Sequence, residues 1–319
     1  MPVVSVVIPA YNAMTYLPET LATVWTQTFT DFEVILVDDG STDHLGEWAK
    51  GITDSRCKFI SQTHQGAAIA RNLGISIAQG EYIAFLDADD LWHPTKLEKQ
   101  VKYLQKKPEI GLVYTWTALI NAQGQPTGRF WTSHWEGNVW ERMAIVDEMI
   151  GSGSNPLVRR SCLESVGFFD SDLTGCQDWD MWIRIAAKYP FGVIKQLLTF
   201  YRNHPQGMSK NLPVMQHNRL KVIEKTFAHQ QSSQLKNQAY SCTYLYQAWN
   251  FIDQGNYQQA HYHRQQALAH NPQLYHNENY LRLSLAIAMT RFLGNSSYKS
   301  IRSLTHWLHH LFIHISHSS

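Results

Sequence analysis

Asp87, Asp89 and Asp90 put three carboxylates within four residues, directly after the apolar run 82–86. Carboxylates this close repel one another unless a cation sits among them. One or two of them, with substrate phosphates, would suit a hard divalent ion. Taken alone, the cluster reads equally well as a solvated acidic turn that caps the next helix. Asp38 and Asp39 are open to two readings as well. One can cap a helix while the other accepts hydrogen bonds from a nucleobase or ribose. The Gly40, Ser41, Thr42 and Asp43 that follow are good turn and cap chemistry with no ligand required. Arg71 lies on an alanine-rich helical stretch, where it can snorkel to solvent or clamp a pyrophosphate. Two further polar clusters are Pro9-Ala10-Tyr11-Asn12, after the first apolar run, and Gln177-Asp178-Trp179-Asp180, at a helix start.

These clusters recur at the ends of apolar segments. Residues 3–8, 32–37, 58–61 and 82–86 read as buried strands, and helical patterns separate them. Leu17, Leu21 and Val24 mark the first helix, and Ser41–Thr42 would cap a short second one. Residues 67–78 form a third, with Gly80 expected as its terminating glycine. Residues 94–106 form a fourth, with Pro94 in its first turn. Continuous apolar strands alternating with amphipathic helices predict an α/β fold around a mainly parallel central sheet. Ligands of such sheets bind beyond the carboxyl ends of the strands. From 110 to about 202 the pattern is mixed: strands at 110–117 and 199–202, a turn at 121–128, a helix at 179–187.

Beyond about Met208 the strand signal ends. Residues 244–274, with Gly255, Tyr257, Ala260, Ala267, Asn271 and Pro272, resemble one tetratricopeptide helix pair. Such arrays need about three copies to stand alone, so a helical hairpin packed on the front of the chain is an equal reading. Leu281, Leu285, Ala288, Met289 and Phe292 predict an amphipathic helix. Leu304, Trp307, Leu308, Leu311 and Ile315 predict another. His306, His310, His314 and His317 share one face of that last segment, read as polar surface rather than as a metal site.

The 319 residues carry 44% apolar and 17% charged side chains, which excludes generic disorder. The net charge of +1 disfavours nucleic acid as the main partner. It divides unevenly: six Lys/Arg against two acids from His229 onward leave +4 there and −3 before it. Four scattered cysteines without a CxxC pair predict neither a disulfide framework nor a structural zinc site, and a reducing compartment. Residues 1–10 lack a basic leader, and no apolar stretch reaches the roughly 20 residues of a membrane span. A cytoplasmic protein is expected.

Five segments together resemble the family 2 glycosyltransferases, inverting enzymes with the GT-A fold. They are VSVVIPAYN at 4–12, VDDGSTD at 37–43, QGAAIARNLGISIAQGEYIAFLDADD at 65–90, CQDWDMWIRIA at 176–186 and YRNHPQGMS at 201–209. The resemblance covers about residues 3–210. It implies a GT-A catalytic domain over 1–214, with a nucleotide-sugar half to about 110 and an acceptor half after it. The remainder, 215–319, is an α-helical region. It also implies residue roles. Pro9, Ala10, Tyr11 and Asn12 line the nucleotide pocket, with Asp38 beside them. Asp39 hydrogen-bonds the nucleobase, and Arg71 contacts the nucleotide or its phosphates. Asp87, Ala88 and Asp89 form the DxD motif. Asp89 is the metal ligand, Asp87 lies nearer the ribose or metal waters, and Mn²⁺ or Mg²⁺ is the cofactor. Asp178 is the general base, although Gln177 stands where many members have Glu. His204 belongs to a loop that closes over the donor phosphates.

The chemistry agrees with this assignment. An acceptor hydroxyl is a poor nucleophile, so a carboxylate must take its proton as it attacks. The departing nucleoside diphosphate needs positive charge nearby. A single displacement inverts the anomeric carbon and needs no second carboxylate nucleophile. The implied donor is a nucleotide sugar, most commonly of UDP. The acceptor is a saccharide, a lipid-linked sugar or a protein, in polysaccharide or glycoconjugate biosynthesis. Trp179, next to the base, and Trp131 are acceptor candidates, whereas Trp182 reads as core. Two other readings stay open. The front is a relic and the helical tail binds partners, or the basic amphipathic tail lies peripherally on anionic lipid.

Overall fold

The computed structural model describes residues 1–146, 149–228 and 232–302. The expected helix after Leu304, with its histidine face, lies outside them. The chain divides into two compact units, Met1–Thr226 and Phe227–Ser319.

The first unit is built on one sheet. Strands β1 (Val4–Ala10), β2 (Phe32–Asp38), β3 (Cys57–Ser61) and β4 (Tyr82–Phe85) alternate with helices α1 (Leu17–Trp25), α2 (Leu45–Ala49) and α3 (Ala67–Ile77). Every residue of β1, β2 and β4 is buried, as expected for strands covered on both faces. These strands pair in parallel in the order β3-β2-β1-β4.

The second half is mixed. It holds β5 (Leu91–Trp92), α4 (Lys96–Lys106), β6 (Leu112–Ile120), β7 (Pro126–Trp131), α5 (Trp140–Ile145), β8 (Leu157–Arg159), α6 (Arg160–Val166), α7 (Gln177–Ala186) and β9 (Phe191–Arg202). Strand β8 runs antiparallel between β4 and β6, β9 is parallel to β6, and β5 and β7 add antiparallel edges. Helix α8 (Leu212–Phe227) follows.

Three local expectations are corrected. Helix α2 is entered at His44, not capped by Ser41 or Thr42. Pro94 precedes α4, which is entered at Thr95. Gly80 does not end α3 as a left-handed residue. It is glycine because a β-carbon there would lie 2.5 Å from the backbone nitrogen of Ser5. That close approach lets Gly80 N–H donate to Ser5 Oγ at 2.8 Å. Ser5 Oγ in turn donates to Glu33, which also accepts from Lys58 and from Gln79 N–H. Burial alone would raise the Glu33 pKa; these donors outweigh it and hold the carboxyl below its ordinary value.

In the second unit α9 (Ser233–Asp253) and α10 (Tyr257–His270) form the hairpin seen in the sequence, and Gly255 turns between them at φ +80°. Ala248, Ala260 and Ala267 are fully buried, which lets the helices approach closely. Helix α11 (Glu278–Leu293) buries Tyr280, Leu283 and Ile287. Of the apolar residues that predicted this helix, Leu281, Leu285 and Phe292 are exposed by 51%, 62% and 76%. This helix is apolar nearly all round, so periodicity did not identify its inner face.

Candidate active site

The polar clusters meet beyond the carboxyl ends of β1, β2 and β4, where a parallel sheet leaves its binding crevice. Asn12, after β1, has a left-handed backbone at φ 49°. Its Oδ1 accepts from the backbone N–H groups of Thr42 and Asp43, and its own N–H donates to Ser41 Oγ. The β1 and β2 loops are thus one structure. Tyr11 stands exposed on it, stacked on His64 at 4.0 Å between ring centroids. Pro9 and Ala10 are buried in β1 beneath it.

Asp38 and Asp39 do not reach outward. Asp38 accepts from Ser41 N–H and Ser61 Oγ. Asp39 accepts from Gln62 Nε2 at 2.6 Å, Gln65 N–H at 2.9 Å and Gly66 N–H at 2.8 Å, with His64 Nδ1 at 3.0 Å. A carboxylate offers about four lone-pair sites; three are taken by these donors, and His64 Nδ1 pairs with the Asp39 backbone carbonyl at 3.1 Å. A nucleobase donor to Asp39 would share a carboxylate that already organises the 62–66 loop.

Arg71 is buried on α3, with Nη2 2.5 Å from Asp87 Oδ1. Burial pulls the guanidinium pKa down, but the charges of Asp87, Asp178 and Asp89 more than reverse that and raise it. The arginine does not snorkel; it is the positive centre of three carboxylates. Asp89 Oδ2 lies 2.8 Å from His204 Nε2, and His204 also packs on the Tyr16 ring. Arg202, buried at the end of β9, donates to the backbone oxygen of Asp89 and to Glu19. Ala88 is buried, and its carbonyl accepts from Thr20 Oγ1.

Asp90 is separate from its neighbours. It is fully buried and accepts from Ser152 Oγ at 3.0 Å, Ser154 Oγ at 2.6 Å and Arg202 N–H at 2.9 Å. Burial, then the charges of Asp89 and Asp87, push its pKa well above the usual carboxylate range. The cluster therefore offers two outward carboxylates, Asp87 and Asp89, not three.

Asp178 sits in the first turn of α7. The residue before that helix, Cys176, is held left-handed at φ 58°. A non-glycine residue in that region stores strain and is uncommon outside functional sites. A β-carbon placed on Gly153 would lie 3.4 Å from Asp87 Oδ2, 3.6 Å from Asp178 Oδ2 and 3.8 Å from Arg71 Nη2. The candidate base and the DxD motif thus flank one point. The segment 152–155 that supplies it was not singled out in the sequence, since its residues carry no charge and its partners are remote.

Trp179 is not an acceptor contact. It is 1% exposed, and its indole N–H donates to the Met143 carbonyl at 2.7 Å. A helix turns the residue next to an outward Asp178 by about 100°, into the core. Trp182 is core, as expected. Trp131 is half-buried against Gly151 and Tyr201.

Among the described residues no group of three or more His, Cys, Asp or Glu side chains is set to hold a metal ion. Asp87 Oδ2 and Asp89 Oδ1 accept no hydrogen bond among them. That donor set fits a hard cation that a ligand's phosphates complete.

Known proteins resemble this chain in sequence and in fold. A relative from Rickettsia conorii, an uncharacterized glycosyltransferase, is 33% identical over 202 residues, 62% of this chain and 32% of its own length. Chondroitin synthase of Escherichia coli is 28% identical over 72% of this chain and 33% of its own. The chain thus spans about a third of each of these relatives. Among solved structures, Staphylococcus aureus TarS 1-349 in complex with UDP-GlcNAc matches with a TM-score of 0.65 at 16% identity, over 95% of this chain and 92% of that one. The Pyrobaculum calidifontis mannosyltransferase in complex with GDP-Man and Mn²⁺ matches at 0.60 and 20% identity, over 95% and 84%. These likenesses show the GT-A fold. The family model for glycosyl transferase family 2 matches residues 5–167, just over half of the chain, and with β2, α3 and the Asp87–Asp89 motif all inside that span, the chain belongs to this family of glycosyltransferases.

Proposed function

We propose that this chain moves a sugar from a nucleoside-diphosphate sugar, with a UDP-sugar as first candidate, to an acceptor hydroxyl with inversion. The observation that carries the reading is the convergence of Asp87, Asp178 and Arg71 on one point above Gly153. Asp178 takes the acceptor's proton as its oxygen attacks the anomeric carbon. Arg71 supplies positive charge to the departing diphosphate, and His204 a hydrogen bond. Asp89 and Asp87 would hold a Mn²⁺ or Mg²⁺ ion, which when bound offsets the charge on the leaving group. Tyr11 and Asn12 line the nucleotide side, and Trp131 the acceptor side. The donor class is supported by the UDP-GlcNAc and GDP-Man held in the related structures. Polysaccharide synthesis is supported by chondroitin synthase and by the putative teichuronic acid biosynthesis glycosyltransferase TuaG of Bacillus subtilis. In this reading the catalytic domain ends near residue 214, and the enzyme works in the cytoplasm.

The test is nucleoside diphosphate release from a panel of UDP, GDP and dTDP sugars with Mn²⁺ present. Release by the native chain, lost in Asp178→Asn with donor binding retained, is the expected result. Equal release by Asp178→Asn overturns the role of the base.

The exposed row Leu281, Leu285 and Phe292, flanked by exposed Arg282 and Arg291, supports a second reading for the helical region. It rests peripherally on anionic lipid. No helix among the described residues is long and apolar enough to cross a membrane. Flotation with anionic vesicles that a Leu285→Glu, Phe292→Glu variant loses is expected; equal flotation rejects the surface.

A further inference from the structure

We propose that Gly153 determines whether the site accepts a nucleotide sugar or only a nucleotide. The transferred sugar occupies the point that its missing side chain leaves open, and Asp90 holds the glycine in place. The inference rests on the transferase reading above and names one further residue of the same site.

The segment around Gly153 is fixed from every side. Ser152 and Ser154 both donate to the buried Asp90 carboxylate. Ser154 Oγ also accepts the backbone N–H of Asp87 at 2.9 Å, so the segment is tied directly to the DxD motif. The Ser154 carbonyl accepts from the indole of Trp92 at 2.8 Å. Asn155, fully buried, donates to the Thr115 and Ile150 carbonyls and accepts the Thr115 N–H. The Asn155 carbonyl in turn accepts from Gln100. A segment tied this closely does not step back to make room.

Three polar heads converge on what Gly153 lacks. A single methyl group there meets Asp87 Oδ2, Asp178 Oδ2 and Arg71 Nη2 at 3.4 Å, 3.6 Å and 3.8 Å. These are ordinary contact distances, and the backbone of Gly153 is not left-handed. Alanine therefore fits the fold. What it removes is the space that the base, the DxD motif and the arginine share. A sugar carbon attacked with help from Asp178, while its phosphate faces Arg71, needs that space. A nucleoside diphosphate without a sugar does not. The roles within the acidic cluster then divide: Asp87 and Asp89 face the donor, and Asp90 is a positioning residue for the floor beneath it.

The experiment compares native chain, Gly153→Ala and Ser152→Ala with UDP, GDP and dTDP and with their hexose conjugates, in Mn²⁺. Gly153→Ala is expected to lower kcat/KM for the accepted donor by about tenfold or more, as for a misplaced reacting group. Its Kd for the matching nucleoside diphosphate should stay within about twofold. Ser152→Ala adds no atoms and removes the hydroxyl that donates to Asp90 and accepts the Ser154 N–H. It should lower kcat about threefold with nucleoside diphosphate affinity unchanged, and it keeps the test decisive if Gly153→Ala folds poorly. An active native chain with unaltered kcat/KM in the variants overturns the role of Gly153 alone. So does an equal loss of nucleoside diphosphate affinity. A native chain that releases nucleoside diphosphate from no donor overturns the transferase reading as well.

Discussion

Arg71 Nη2 and Asp87 Oδ1 lie 2.5 Å apart, and the arginine is buried while the carboxylate is partly open. The pair joins α3 to the end of β4 and aims one charged edge at the crevice. Removing the guanidinium leaves Asp87 beside two other acids without its partner. Arg71→Ala should cost about 1–3 kcal/mol of stability, less than for a fully enclosed pair because water reaches Asp87. Donor turnover should fall more than about tenfold, and Arg71→Lys should restore little, since an ammonium lacks the planar fork. Denaturant unfolding and steady-state kinetics of the two variants check this; full rescue by lysine would contradict it.

Asp89 and Asp90 are neighbours with opposite surroundings, and titration with Mn²⁺ should separate them. Asp89→Asn should weaken the activating effect of Mn²⁺ by about tenfold or more, whereas chelation should silence the native chain. Asp90→Ala should leave the Mn²⁺ midpoint unchanged. It strands the hydroxyls of Ser152 and Ser154, so about 1–3 kcal/mol of stability should go. A shifted Mn²⁺ midpoint in Asp90→Ala would make that residue a ligand after all.

Trp179 is a structural residue beside the proposed base. Trp179→Phe deletes a buried donor and strands the Met143 carbonyl, for an expected loss of about 1–2 kcal/mol. Acceptor KM should not change. A raised acceptor KM at unaltered thermal stability would return the indole to the acceptor site.

His263 makes the second unit sensitive to acid. Its ring is buried, lies 5.0 Å from Phe251 and 5.9 Å from Tyr244, and has no partner for Nδ1 among the described residues. Burial pulls its pKa below 6.5, and that of His270 likewise. The unfolded chain then binds protons more readily than the folded one around that pH. Stability from these neutral rings is complete above about pH 6.5 and is lost as pH falls through the folded-state value. Thermal unfolding midpoints should drop as pH falls from about 7 to about 5. His263→Phe should flatten the slope; an unchanged slope would remove His263 as its source.

The parallel half of the sheet was legible because β1, β2 and β4 are buried along their whole length, and the site because its motifs end those strands. Less legible were features that depend on distant partners. Nothing near Ser152 or Ser154 in the chain marks them as donors to Asp90, more than sixty positions away. Gly80 looked like a helix stop until its approach to Ser5 accounted for it. Asp39 carried a role implied by resemblance, and only the folded 62–66 loop reveals the three donors already on its oxygens. The inner face of α11 was hidden by a helix apolar on both sides. In each case local chemistry identified the residue, and the fold decided its partner.

The stack of Tyr11 on His64 has a thermodynamic consequence. One face of the exposed Tyr11 ring is covered by an imidazole, at 4.0 Å. In the proposed transferase, a nucleobase that takes the place of His64 on Tyr11 exchanges one aromatic neighbour for another, and the observed affinity is the difference between two stacks. Changing His64 would then reset the reference against which a nucleotide on that ring is measured, while Asp178, Arg71 and Asp89 keep their places.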